Sequence, residues 1–110
     1  MTTELLTPTR RPSDAASPLA RVWRECFASW PQGVDRNGIV VATWDEQIPF
    51  RGFAVADTLV YLERRNPDSL GSRAVMVPYE NIAALKIVDV VDVSSFASMG
   101  FQTKPARPQR

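Results

Sequence analysis

The chain has 110 residues, 45% of them hydrophobic and 23% charged; those proportions suit one folded domain and exclude a chain that is disordered throughout. It has no histidine and a single cysteine, Cys26, which excludes Ser-His and Cys-His nucleophile systems, an internal disulfide and a cysteine-built zinc site within one chain. The net charge of +1 hides an uneven spread: Lys104, Arg107 and Arg110 close the chain with no acid beside them, so the body ahead of them is net acidic and a poor footprint for duplex nucleic acid.

Residues 1–16 are rich in Thr, Pro, Ser and Arg and have no periodicity, which predicts a disordered tail. Residues 1–12 lack the apolar core of a signal peptide, and no apolar run near the start approaches the ~20 residues of a membrane helix. No membrane association is expected, and a reducing, cytoplasmic setting fits the lone thiol. Ser17 and Pro18 then mark a helix start: serine can cap free N–H groups, and proline suits the first helical position. Leu19, Val22, Trp23, Cys26, Phe27 and Trp30 recur on a helical period and form one wide apolar stripe. Trp23 and Phe27 lie at its centre and are expected in a helix–sheet core. Pro31 and Gly33 end the helix.

Beyond Gly33 the period changes to two. Residues 38–44 read as a first strand, Asp45 and Glu46 as a turn, and 47–56 as a second strand with Gly52 marking a bulge or bend. Residues 59–65 read as a third strand, 66–72 as a loop, and 73–78 as a fourth strand. Tyr79, Glu80 and Asn81 form a tight polar connection to a long fifth strand over 82–93, whose density of β-branched residues favours strand over helix. Residues 94–100 read as one helical turn, with Phe96 and Met99 on one face and Gly100 as its stop. Residues 102–110 form a basic disordered tail. The domain is thus expected over 17–101, mainly β with one N-terminal helix: a small, strongly bent five-stranded antiparallel sheet or barrel, since strands so closely spaced cannot be parallel.

Two stretches carry a resemblance. In residues 39–62 a glycine-bent strand leads through Asp57 into the apolar run Leu59-Val60-Tyr61-Leu62. In residues 74–87 the fourth strand passes through a very short connection into the fifth. Together they cover about half the chain, and they are similar to the Sm-like small β-barrel. That resemblance implies ring-type or strand-edge oligomerisation. It does not carry over RNA binding: Asp57 is followed by Thr58 and Leu59 where the family has an asparagine, and Tyr79-Glu80-Asn81 stands where the family has a basic residue and glycine. The run Val77-Pro78-Tyr79-Glu80-Asn81-Ile82 also resembles bacterial pleckstrin-homology-like barrels, but those end in a long helix, and this chain places its helix first.

No Gly-rich phosphate loop, metal-ligand spacing or nucleophile context is present, so no enzyme activity, cofactor or metal is expected. Asp45 and Glu46 are adjacent in a turn and point apart, unlike an acid–base pair. Cys26 sits on the apolar stripe as an inert thiol. Trp44 is either an interface anchor or a core edge. The expected function is assembly, as a homo-oligomer or with a protein partner, because a small domain with two sheet edges invites pairing. Val75, Val77, Ile82, Leu85, Ile87 and Val90 are the candidate interface residues. The alternative is a nucleic-acid-binding module using Arg64, Arg65, Arg73 and the basic tail. If the third and fourth strands form a hairpin, these three arginines converge where they could hold an anion, with Glu63 and Asp68 as their ordinary partners.

Overall fold

A computed structural model describes residues 17–102; the tails expected over 1–16 and 103–110 lie outside the described residues. Helix α1 spans Pro18–Ala28. It starts as its composition dictates, with the Ala20 N–H donating to Ser17 Oγ at 3.0 Å and Pro18 in the first turn. Gly33 then turns the chain at φ 86°. The stripe is only partly buried. Ala20, Cys26 and Phe27 are inside, Trp30 is buried and Trp23 packs half-buried against the core. Leu19 and Val22 are exposed, because the contact face is rotated toward Ala20, leaving them on the helix flank. Among the described residues no helix is long and apolar enough to cross a membrane.

Five strands follow: β1 Gly38–Ala42, β2 Gln47–Val55, β3 Leu59–Arg64, β4 Ala74–Pro78 and β5 Ile82–Lys86. They make one antiparallel sheet in the order β4-β3-β2-β1-β5. The first four are joined by hairpins, as their short turns require. The single 3-10 turn Tyr79–Asn81 carries the chain from one edge of the sheet to the other, so the sheet must bend strongly. It does not close into the barrel that such bending favours: β4 and β5 share no ladder. Gly52 marks the bend as its position predicts, with a register shift between Phe50 and Gly52 against β3.

The core lies between α1 and the concave face of the sheet. Val40, Ile48, Phe50, Val60, Leu62, Val77 and Ile82 are fully buried there. Phe27 stands among aromatic rings, with Phe53 at 5.0 Å, Trp30 at 5.9 Å, Phe50 at 6.2 Å and Tyr79 at 6.5 Å. Tyr79, expected in a polar turn, belongs to this core. Its hydroxyl donates to the Ala56 carbonyl at 3.1 Å, and burial pushes its phenol up to about 12. The Trp30 indole N–H donates to the carbonyls of Val34 and Asp35, and its ring meets Phe96 edge-on at 5.9 Å. That contact docks the final 3-10 element, Val93–Met99, onto the domain, with Gly100 capping it at φ 89°.

The fifth strand departs most from the sequence reading. It stops at Lys86 although the β-branched run continues to Val93. Strand propensity needs a partner, and β1 supplies none past Ile39, which pairs with Lys86. Residues 87–92 therefore leave the sheet with no regular structure.

Candidate functional site: two open strand edges and an arginine cleft

β4 pairs only with β3, and β5 pairs only with β1. Among the described residues neither edge pairs with a further strand; on β4 the Ala74 carbonyl accepts from Ser72 Oγ at 3.0 Å and Pro78 has no N–H to offer. The six candidate interface residues fall into three environments. Val77 and Ile82 are fully buried in the chain's own core, so they offer no side chain to a partner. Val75, Leu85 and Ile87 are partly buried against that core. Val90 is fully exposed just beyond β5, with Val88 half exposed near it. On the outer face of the β3–β4 hairpin, the cross-strand pair Tyr61 and Met76 is exposed at 43% and 63%. Lys86 and Asp89 are the charges nearest the end of β5.

At the other end of the same hairpin, Arg64, Arg65 and Arg73 come together as hairpin pairing requires. The Arg64 N–H donates to the Arg73 carbonyl at 2.9 Å, extending the ladder by one pair. The three arginines line a cleft of about 180 Å³ together with Arg51, Tyr61, Glu63, Pro67 and Ala74. Arg64 is set into its wall with its side chain 10% exposed. Its Nε donates to the Asn66 carbonyl at 3.2 Å, and Glu46 lies 3.6 Å from its guanidinium. Arg51 is an addition that residue spacing could not supply, because the bulge at Gly52 decides which β2 side chain meets β3; Tyr61 follows from strand alternation, on the same face of β3 as Glu63.

Of the expected partners, Glu63 lies in the same cleft and pairs with Arg51 at 3.0 Å, not with Arg64, Arg65 or Arg73. Asp68 turns its carboxylate to its own loop, accepting the N–H groups of Ser72 at 2.8 Å and Leu70 at 2.9 Å. Those N–H bonds, that of Ser72 foremost, hold its carboxyl below the usual carboxylate range, and Arg64 adds to the effect. Arg65 and Arg73 are exposed, and neither guanidinium has a carboxylate partner among the described residues.

The remaining candidates have structural roles. Asp45 carries the turn between β1 and β2 at φ 72°. Glu46 accepts the Trp44 indole N–H at 2.8 Å, which leaves Trp44 as an exposed turn residue and not a core edge. Burial raises the pKa of the Cys26 thiol, which removes thiolate character. Asn81 bridges its turn to the end of β1, donating to Thr43 Oγ1 at 3.0 Å and accepting the Thr43 N–H at 2.8 Å. Compared with known protein families, curated proteins and solved structures, the chain matches none.

Proposed function

We propose that this chain is a non-enzymatic assembly module that associates with copies of itself through its strand edges. The observation that carries the reading is the segment 87–92. Its sequence is that of a strand, yet the fold gives it no strand partner, and Val88 and Val90 stand exposed within it. A β-branched run with free backbone groups, continuous with an edge strand, is a template for another chain. The opposite edge, β4, offers a matching row: between Ala74 and Pro78 it carries no charge. Joining one copy's β4 to another's β5 uses two different surfaces, so the contact is head-to-tail and gives a ring where the rotation closes. Two features support reading the open, bent sheet as Sm-like: the strand order, with its edges linked by one 3-10 turn, and the bulge in β2. A cytoplasmic setting fits the buried, unreactive thiol.

The test is Val90→Pro. In the single chain, residue 90 donates to no ladder, so removing its N–H leaves the monomer fold intact and deletes a donor that only assembly would use. The variant should run at lower mass by light scattering with unchanged circular dichroism, and Val90→Lys should do the same. Assembly that persists in both variants contradicts pairing through this segment.

A further inference from the structure

We infer that the cleft at the base of the β3–β4 hairpin binds the dianionic phosphoryl group of a small phosphomonoester. This rests on the cleft alone and is independent of self-association. Four guanidiniums line it, from β2, β3 and the loop ends: Arg51, Arg64, Arg65 and Arg73. Only Arg51 and Arg64 have carboxylates beside them, at 3.0 and 3.6 Å. The loop's own acid, Asp68, is turned to backbone N–H groups. Arg65 and Arg73 therefore bring uncompensated positive charge to one place, an arrangement that repels itself when empty and is relieved by an anion.

The shape of the cleft narrows the choice of anion. Arg64 is a fixed charge in the wall, held by the Asn66 carbonyl and largely withdrawn from water, which strengthens its field. Arg65 and Arg73 add planar forks suited to tetrahedral oxyanions. The Tyr61 hydroxyl has no hydrogen-bond partner among the described residues and lies in the same lining. A carboxylate cancels one charge; a phosphomonoester carries about two near neutral pH and matches the two unpartnered guanidiniums. The cleft, of about 180 Å³, has room for one phosphoryl group and a short stem.

The experiment is calorimetric titration of the full chain with inorganic phosphate, a nucleoside 5′-monophosphate, the matching nucleoside, and a single-stranded oligonucleotide lacking terminal phosphate. Phosphate and the monophosphate should bind once per chain, with affinity that falls as pH drops through each probe's second pKa, about 6 for the monoester and higher for inorganic phosphate; the bare nucleoside should not bind. Arg65→Ala and Arg73→Ala should each weaken binding about tenfold or more. Both variants should melt no lower than wild type without phosphate, because each relieves repulsion. Absence of phosphate binding, or binding unchanged in both variants, overturns the inference. So does tighter binding of the oligonucleotide with a steep salt dependence, which would assign the arginines to a nucleic-acid backbone.

Discussion

Phe27 holds the helix to the sheet: it is 1% exposed and has the rings of Trp30 just past α1, Phe53 of β2 and Tyr79 around it. Phe27→Ala should cost about 3–5 kcal/mol, a large part of the 5–15 kcal/mol typical of a domain, and chemical denaturation should show it. Trp23 is the contrast. Its indole Nε1 is buried with no hydrogen-bond partner, so Trp23→Phe keeps a ring against the core and removes an unsatisfied donor. Its midpoint should equal or exceed wild type; a loss as large as that of Phe27→Ala would show that the N–H is bonded. Tyr79 sets an alkaline limit. Its folded pKa of about 12 lies above the ordinary tyrosine value of about 10. The stabilisation it contributes is therefore complete below about 10 and is lost as pH rises through about 12. With no histidine in the chain, thermal midpoints should be nearly flat around neutrality and fall in that alkaline window. A Tyr79→Phe variant should lose part of that alkaline fall; an identical fall in the variant would assign it to other groups.

At the scale of elements, Gly38 shows how closely β1 and β5 approach. A Cβ there would lie 2.8 Å from the Lys86 carbonyl oxygen and 3.2 Å from the Phe50 ring. Gly38→Ala should therefore loosen the β1–β5 ladder, and hydrogen exchange should quicken on β5 while β3 and β4 stay protected. Uniform exchange across the sheet would mean that β5 is no separate unit. Much of this layer is legible from residues alone. Ser17 caps α1 and Pro18 opens it, as their chemistry suggests, and a register shift falls beside Gly52 where a bulge is expected. The failures share a cause. Strand propensity is local, whereas a strand needs a partner that β1 is too short to supply, so the run past Lys86 looks like strand and is not paired. The place of Arg51 in the cleft is not legible from spacing, because register across the bulge at Gly52 is a tertiary fact, whereas Tyr61 shares a face with Glu63 by alternation along β3. Tyr79 was read as polar because a turn residue's burial depends on what packs above it. The exposed position of Leu19 and Val22 likewise depends on how α1 is rotated, which periodicity does not specify.

At the scale of the whole molecule, an open five-stranded sheet with one short helix leaves two backbone edges and an unpaired strand-like segment. Small domains commonly finish such surfaces by association. The arginine cleft reaches Ala74 at the N-terminal end of β4, while residues 87–92 follow the C-terminal end of β5, so Val90→Pro probes the proposed pairing without touching the cleft. The most direct measurement is the mass of the full chain by sedimentation equilibrium across micromolar concentrations, with Val90→Pro run beside it. The account predicts a multiple of the 12.3 kDa chain for wild type and a shift toward the monomer for the variant. A wild-type protein that stays monomeric throughout that range would contradict it.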